Sequence, residues 1–217
     1  MKQVLDKGFV DLVDSMGNDM SVIRAARVSY GKVSTDPEKD KKLISFLINN
    51  GHESPFEHTA FTFNIKCPLF IARQWMRHRI GNSFNEISGR YTEMKGEFYI
   101  PEQLRIQVGK NYQYETLQES ITEIEQIEQH YKQTFELYKN LLDSGVCKEQ
   151  ARAILPLGLY TSFYWTVNAR SLMHFIKLRI ESHAQEEIRC YANVLLEHFK
   201  EKMPWTAEAF MVKEKLG

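Results

Sequence analysis

The sequence has few cysteines, no surplus of either charge and no long apolar run. Its apolar stretches, such as residues 68–72, are far shorter than the ~20 residues that cross a bilayer. The N-terminus also lacks the apolar core of a signal peptide. We therefore expect a cytoplasmic protein that has no membrane partner.

Charge is balanced over the whole chain, with 28 Lys and Arg residues against 28 Asp and Glu residues. A protein without net charge attracts neither nucleic acid nor an anionic membrane at long range. We therefore expect no nucleic-acid partner, and any affinity for anions has to come from a local cluster of side chains.

The three cysteines argue against a disulfide framework or a zinc knuckle. Cys67, Cys147 and Cys190 are odd in number, widely spaced and free of any Cys-x-x-Cys pair. We expect them to be buried structural thiols. Gly-x-Ser-x-Gly, Gly-x-x-x-x-Gly-Lys and Gly-x-Gly-x-x-Gly are also missing, so a bound nucleotide would need an unconventional site.

The apolar pattern predicts an α+β fold with a helix-rich second half, in one domain that spans residues 1–217. Strands are predicted over residues 59–66 and 97–100, and a loop over 102–113. Helices are predicted over residues 20–30, 37–50, 69–79, 117–142, 148–155, 159–180 and 182–201, with a short last helix from Pro204.

Cations, amides and hydroxyls are concentrated in residues 77–91, directly after an apolar run. Glu86 is the one carboxylate among them. Guanidinium groups suit phosphates, hydroxyls and amides suit ring edges, and glycines let the backbone approach a ligand closely. This segment predicts an anion-binding site.

A second polar cluster lies in residues 168–179, on a helix that otherwise reads as buried. Asn168, Ser171 and Arg179 roughly share one face, and His174 is close to it. An arginine in apolar surroundings is costly unless it pairs with an anion. That anion could be a ligand, or Glu181 or Glu186 of the chain itself.

A third cluster, residues 51–58, holds two histidines and two glutamates in a turn at Pro55. No Cys partner and no Glu-flanked helical pair of histidines accompanies them, so we expect no metal site. Residues 183–187 could likewise form a metal-binding face, but a solvated or ion-paired helix surface is the better interpretation.

With these clusters, the chain resembles the flavin-dependent thymidylate synthases. The family motif of Arg-His-Arg, a short spacer and Ser corresponds to Arg77-His78-Arg79 and Ser88. Further matching segments are residues 24–29, 51–58, 88–91, 151–152 with 155–156, 168–172, and 179 with 182–185. Chance agreement over so many separated segments is implausible.

The resemblance implies a central, mainly antiparallel sheet flanked by helices, in a homotetramer whose active sites are shared between chains. It implies the conversion of dUMP to dTMP, with methylenetetrahydrofolate as the carbon donor and NADPH as the reductant, through FAD. The positions that match dUMP contacts are Gln74, Arg77, Glu86, Ile87, Ser88, Gly89, Arg90, Arg152 and Arg179. Those that match FAD contacts are Ser54, Arg77, His78, Arg79, Ile80, Glu86, Asn168, Arg170 and His174, with His52 near the flavin ring.

Arg179 matches the arginine that the family places at the uracil ring, and it is our candidate catalytic residue. Uracil C5 is a weak nucleophile, and no cysteine here has the setting of a nucleophile that could activate it. A guanidinium against N3 and its neighbouring carbonyl would push electron density to C5. Ser88 could act as a nucleophile, but we interpret it as a binding hydroxyl because no adjacent base is evident.

Two positions depart from the family pattern. Eight residues, 80–87, separate Arg79 from Ser88 where seven are usual, so one residue is inserted around Gly81 and Asn82. Both residue types tolerate left-handed backbone, so we expect the turn to absorb the insertion. His174 stands where we expect Asn, which could make the flavin contact pH-sensitive.

Two other functions compete with this hypothesis. One is a nucleotide-binding or RNA-binding protein that uses the arginine cluster without turnover; balanced charge disfavours it. The other is a metal-dependent phosphohydrolase that uses His52, His58 and His183.

Overall fold

A computed structural model describes residues 1–31, 36–110 and 112–216 of the chain. Its strands are β1 (Lys2–Val4), β2 (Gly8–Met16), β3 (Ala60–Pro68), β4 (Asn82–Glu86), β5 (Arg105–Gln107), β6 (Tyr114–Thr116) and β7 (Tyr160–Asn168). Its α-helices are α1 (Asp19–Arg27), α2 (Pro37–Asn49), α3 (Leu69–Trp75), α4 (Ile121–Asp143), α5 (Lys148–Ala151), α6 (Ala169–Ile180), α7 (Glu186–Lys202) and α8 (Pro204–Glu214). Short 3₁₀ turns cover Val28–Tyr30, Ser54–His58 and Arg152–Ile154.

The main sheet has five strands in the order β1-β2-β3-β7-β4, and every neighbouring pair is antiparallel. Strand β3 alternates as its sequence predicts, with Phe61, Phe63 and Ile65 buried and the residues between them partly exposed. The α+β class and the antiparallel central sheet are therefore confirmed. Among the described helices, none is both long and apolar enough to cross a membrane.

The predicted helix over residues 159–180 is wrong in its first half, because Tyr160–Asn168 is strand β7. This strand lies between β3 and β4, and Trp165 is directly opposite Phe63. Aromatic and β-branched side chains favour a pleated surface over a helix. Asn168 then begins α6, because its side-chain oxygen accepts a hydrogen bond from the amide of Ser171 at 2.9 Å.

Smaller boundaries also differ from the sequence predictions. Residues 97–100 form no strand; Phe98 makes an isolated bridge with Leu159. The predicted loop over 102–113 contains β5, which pairs with β6 in a small second sheet. Helix α3 ends at Trp75 instead of residue 79, because the next residues turn sharply and the amide of His78 donates to the carbonyl of Trp75.

Trp75 lies at the centre of the core, with no exposed surface. Its ring is 4.7 Å from that of Phe175, and those of Phe163, Trp165 and Tyr191 lie within 5.7 Å. These contacts bind the end of α3 to β7, α6 and α7. The prediction of three buried thiols holds for Cys67 but is wrong for Cys147, which is exposed at the start of α5; Cys190 is only partly buried.

The N-terminus of α8 is capped by a residue from the other end of the chain. The carboxylate of Asp19, at the start of α1, accepts hydrogen bonds from the amides of Trp205 and Thr206, each at 3.0 Å, and from the Thr206 hydroxyl at 2.6 Å. Asp19 is only 6% exposed, so no water can replace these bonds without opening the structure. The cap therefore joins α1 to α8.

We expect Asp19→Ala to lower the free energy of unfolding by about 2 kcal/mol, because it leaves buried donors at the N-terminus of α8 unpaired. The free energy of unfolding of Asp19→Asn should lie between those of the wild type and Asp19→Ala, since one carbonyl oxygen remains as an acceptor. Asp143→Ala, at an exposed position at the end of α4, is the control and should stay within about 0.5 kcal/mol of the wild type. Denaturant unfolding measures all three, and an unchanged midpoint for Asp19→Ala would contradict the cap.

Candidate active site

The turn after α3 lies directly on the first turn of α6. Gly81 has a φ of +65°, and a Cβ at this position would be 2.6 Å from Ser171 Oγ and 2.7 Å from Asn168 Nδ2. Ser171 Oγ in turn donates to the carbonyl of Ile80 at 2.8 Å. Only glycine allows both this backbone conformation and this close approach.

Gly81 adopts the left-handed backbone that the sequence predicts for this turn, and the chain continues directly into strand β4. The side chain of Asn82 fixes the start of β4. Its Oδ1 accepts from Trp165 Nε1 at 2.6 Å, and its Nδ2 donates to the backbone carbonyl of Ile80 at 2.5 Å. Strand β4 then pairs with β7 as far as Glu86. The arginine motif and Glu86 therefore lie at opposite ends of one edge strand.

A cavity of about 610 Å³ opens between this turn, α6 and the end of α8; we call it the cationic pocket. Six of the residues predicted to contact FAD line it. They are Arg77, His78, Arg79, Ile80, Arg170 and His174, and Arg179 joins them. Apolar side chains also line the pocket, among them Leu47, Phe56, Met173 and Phe210.

Three guanidinium groups of the cationic pocket have no carboxylate partner among the residues that the structure describes. Arg77, Arg79 and Arg179 form no ion pair there, although each is close to other cations. Glu186, a proposed partner of Arg179, instead pairs with Arg105 at 2.7 Å. Since uncompensated positive charges in one pocket repel one another, this arrangement favours a bound anion.

Arg170 differs from these three arginines because two carboxylates hold it. Its terminal nitrogens lie 2.6 Å from Glu53 and 2.5 Å from Glu57, both in the segment around the 3₁₀ turn Ser54–His58. These carboxylates raise the pKa of the exposed Arg170. The pairs join α6 to this turn, so Arg170 would have to share or release a carboxylate to contact a phosphate.

Arg179 is held by two uncharged acceptors. Its Nε donates to His78 Nε2 at 3.1 Å, and one terminal nitrogen donates to the carbonyl of Gln74 at 3.3 Å. Burial, followed by the charges of Arg179 and His174, lowers the pKa of His78 to about 4. His78 is therefore neutral at physiological pH, and Arg179 keeps its full charge.

A second cavity, of about 190 Å³, contains most of the remaining residues predicted to contact dUMP; we call it the glutamate pocket. Glu86, Ile87, Gly89 and Arg152 line it. Glu86 accepts a hydrogen bond from the Thr161 hydroxyl at 2.6 Å, which fixes the carboxylate.

Ser88 and Arg90 flank the glutamate pocket on the chain segment that forms its wall. The hydroxyl oxygen of Ser88 accepts from the amide of Arg90 at 3.3 Å, and Arg90 forms an exposed ion pair with Glu149 at 3.0 Å. A Cβ on Gly89 would be 3.0 Å from both Arg152 Cδ and Met94 Sδ. The backbone of Gly89 and the side chain of Arg152 are therefore close enough to bind the same ligand group.

The predicted residues are thus divided between two cavities, and a few line neither. Gln74 donates to Gln185 at 2.6 Å, and Asn168 is used to cap α6. His52 is exposed, and its ring packs against that of Phe46. Ser54 begins the adjacent 3₁₀ turn, and Phe56 of the same turn lines the cationic pocket. The cationic pocket and the glutamate pocket share none of their lining residues.

The histidines of the phosphohydrolase hypothesis lie apart from both cavities. His183 packs against Tyr112 with ring centres 5.5 Å apart, and Glu186 and Glu187 both pair with Arg105. The surface at residues 183–187 is thus ion-paired, as predicted. Within residues 1–31, 36–110 and 112–216, no three His, Cys, Asp or Glu side chains are grouped so that they could hold a metal ion.

Comparison with known proteins identifies the family. The model of the family described as "Thymidylate synthase complementing protein" matches residues 11–205. The flavin-dependent thymidylate synthase of Thermosipho africanus is 54% identical over 215 residues, covering 96% of this chain and 93% of the relative. This chain belongs to the flavin-dependent thymidylate synthases. A Thermus thermophilus enzyme of the same name is 46% identical over 211 residues, covering 95% of this chain and 77% of the relative.

A solved structure supports the same assignment for the fold. The UMP/dUMP methylase PolB from Streptomyces cacaoi, crystallised with 5-Br dUMP, is 37% identical to this flavin-dependent thymidylate synthase, with a TM-score of 0.89. The alignment covers 98% of this chain and 97% of PolB. The family resemblance that the motifs indicated is thereby confirmed.

The cationic pocket of this flavin-dependent thymidylate synthase fits a dinucleotide cofactor. Unpaired guanidinium groups are the donors that a pyrophosphate needs, and the apolar side chains offer surface for a flat ring. Two further cations of this pocket, Lys177 and Lys213, were not predicted. Lys177 could have been found, since it follows Arg170 and His174 at helical spacing. Lys213 comes from α8, and no local pattern links it to the site.

The buried neutral imidazole of His78 predicts a specific pH dependence of stability. Between the usual pKa of 6.5 and about 4, the unfolded chain binds a proton that the folded chain does not, so stability falls as pH falls through this window. Arg179 and His174 on α6 are the basic groups that oppose protonation. At about 1.4 kcal/mol per pH unit over this window, the loss from His78 is at most about 3.5 kcal/mol.

His78→Gln removes this titration, so its free energy of unfolding should decline less than that of the wild type between pH 7 and pH 4. Denaturant unfolding of the flavin-free protein at several pH values measures the difference. His130→Gln, on the exposed surface of α4, controls for loss of a histidine. Parallel profiles for the wild type and His78→Gln would show that the imidazole is not held neutral.

Proposed function

We propose that this enzyme forms dTMP from dUMP, takes its one-carbon unit from methylenetetrahydrofolate and takes its electrons from NADPH through FAD. The observation that carries the proposal is the cationic pocket: within the described part of the chain, Arg77, Arg79 and Arg179 lack carboxylate partners and surround a neutral His78. Relatives named flavin-dependent thymidylate synthases and a methylase crystallised with 5-Br dUMP support it.

FAD is proposed to bind in the cationic pocket. Arg77 and Arg79 suit its pyrophosphate, because both guanidinium groups are unpaired among the described residues and lie on the turn that Gly81 holds against α6. When bound, FAD would pass reducing equivalents from NADPH to the transferred carbon. The other residues proposed to contact it are Ser54, His78, Ile80, Glu86, Asn168, Arg170 and His174, with His52 near the flavin ring.

The nucleotide dUMP is proposed to bind at the glutamate pocket. Arg90 and Arg152 provide cations for its phosphate, and Gly89 permits close backbone approach. Ser88 would act as a binding hydroxyl: its oxygen accepts from the amide of Arg90, and among the described residues no imidazole or carboxylate contacts it as a base. Gln74, Arg77, Glu86 and Ile87 complete the proposed contacts.

Arg179 is proposed to activate the uracil ring. Its guanidinium would donate to the carbonyl beside N3 and stabilise the negative charge that builds up there as C5 attacks the carbon donor. The cysteines support a mechanism without a thiolate: burial raises the pKa of Cys67 and Cys190, and no cysteine lines either cavity of the described residues. Activation would therefore be electrostatic.

These assignments are best met by more than one chain in each active site. Arg179 lines the cationic pocket and Arg152 lines the glutamate pocket, and the two cavities have no common wall residue. We propose a homotetramer, as the family resemblance implies, in which Arg179 of one chain faces dUMP held by another. The enzyme would be incomplete as a single chain.

Replacement of Arg179 tests the proposed activity. We expect Arg179→Ala, saturated with FAD, to lose roughly 10²-fold or more in dTMP formation, since it removes a charge that stabilises the transition state. Arg179→Lys should recover part of the rate. Measurement of dTMP by chromatography and of bound flavin by its absorbance near ~450 nm separates chemistry from cofactor loss.

Arg73→Ala is the matched control for that experiment. Arg73 lies on α3, one residue before Gln74, but is exposed and lines neither cavity. Its turnover should match that of the wild type. Wild-type turnover in Arg179→Ala would instead rule out Arg179 as the activating residue.

A further inference from the structure

His78 has a fixed position between the helix that precedes it and the helix that carries Arg179. Its amide donates to the carbonyl of Trp75 at 3.0 Å, and its ring lies 4.7 Å from that of Phe175. The ring of His174 touches it edge-on at 5.9 Å. The end of α3 therefore fixes the backbone of His78, and Phe175 and His174 of α6 hold its imidazole.

The direction of the bond between Arg179 and His78 is fixed by chemistry. A guanidinium has five N–H donors and no acceptor, so Arg179 Nε donates and His78 Nε2 accepts. A ring nitrogen that accepts carries no proton. The neutral imidazole therefore carries its proton on Nδ1, and a protonated His78 could not make this bond.

The two bonds of Arg179 leave one edge of its guanidinium available. Nε is used by His78, and one hydrogen of Nη2 is used by the carbonyl of Gln74. Three N–H groups remain, and one of Nη1 together with the second of Nη2 can form the fork that binds planar acceptors. His78 and Gln74 thus determine which edge of Arg179 faces the pocket.

Both acceptors of Arg179 are uncharged. Several other arginines are held by carboxylates: Arg27 by Asp40, Arg105 by Glu186 and Glu187, Arg170 by Glu53 and Glu57. A carboxylate would orient Arg179 equally well, but would cancel its charge locally. His78 orients the guanidinium and leaves its charge for the ligand.

We propose that His78 is a positioning residue for ring activation: as a neutral acceptor it fixes the orientation of Arg179 without neutralising it. The inference rests on the role of Arg179 given under the proposed function. It assigns to His78 a task distinct from contact with the cofactor, because the contact that matters is made with a side chain of the same chain.

Three substitutions separate orientation from charge. His78→Gln keeps an uncharged acceptor. Because Gln and Glu have nearly the same shape, His78→Glu differs from His78→Gln essentially by one negative charge. His78→Leu keeps apolar bulk and has no acceptor. We expect His78→Gln to retain kcat/KM for dUMP within about 5-fold of the wild type, and His78→Leu to lose roughly 10²-fold, as misplaced catalytic groups do. His78→Glu should lose more than His78→Gln, mainly in kcat.

The assays use FAD-saturated enzyme with matched flavin absorbance, and dUMP binding is measured separately by calorimetry. Reduction of the flavin by NADPH without dUMP is measured for each variant, so that any effect of His78 on the cofactor is separated from the loss in dTMP formation. The dissociation constant of dUMP should rise in His78→Leu and stay close to the wild type in His78→Gln. A role of His78 in holding the cofactor alone would instead change flavin content and leave dUMP binding unaltered.

The outcomes distinguish this inference from the proposed function. If Arg179→Ala is inactive but His78→Leu with full flavin is as active as the wild type, the inference fails and the proposed function stands. If Arg179→Ala is fully active, the proposed function fails. Equal losses in His78→Gln and His78→Leu would overturn the acceptor role, and equal activity of His78→Gln and His78→Glu would overturn the requirement for a neutral acceptor. In an Arg179→Ala background, His78→Leu should cause no further loss.

Discussion

The site depends on the contact of Gly81 with the first turn of α6. Its left-handed backbone and missing side chain let the turn lie against Asn168 and Ser171. Because α6 also carries Arg179, this contact fixes the distance between Arg179 and the Arg77-His78-Arg79 segment. Trp75 and Phe175 support the same junction from the core, so the arrangement of the cations is determined by packing and not by the cations themselves.

Electrostatically, the site is defined by its unpaired arginines, since Glu53 and Glu214 of the cationic pocket pair with Arg170 and Lys177. The chain has as many acidic as basic residues, and its acids neutralise arginines elsewhere, as Glu187 does for Arg105 and Glu149 for Arg90. Among the described residues, no carboxylate pairs with Arg77, Arg79 or Arg179. Grouped unpaired cations destabilise the free protein, and a bound anion restores the balance. His78 fits this scheme because burial keeps it neutral.

Much of the fold can be predicted from periodicity, and the failures have physical reasons. Polar and apolar residues alternate along β3 and so predict a strand, whereas the pattern of β7 predicts a helix. In β7 the exposed face carries Tyr164, which is 50% exposed, and the buried face includes Thr161, so the alternation of polarity disappears. Family motifs indicate most of the candidate site residues. They do not indicate the division of these residues between two cavities, since that depends on long-range packing and not on local pattern.

The central claim is that each active site combines the cationic pocket of one chain with the glutamate pocket of another. The most direct test is to co-express Arg179→Ala and Arg152→Ala chains with different tags and to purify the mixed assembly. Neither variant alone should form dTMP at an appreciable rate. We predict that the mixed assembly regains a substantial part of the activity. Some of its sites then combine Arg179 of the Arg152→Ala chain with Arg152 of the Arg179→Ala chain. A mixed assembly as inactive as its two parents would contradict the shared site.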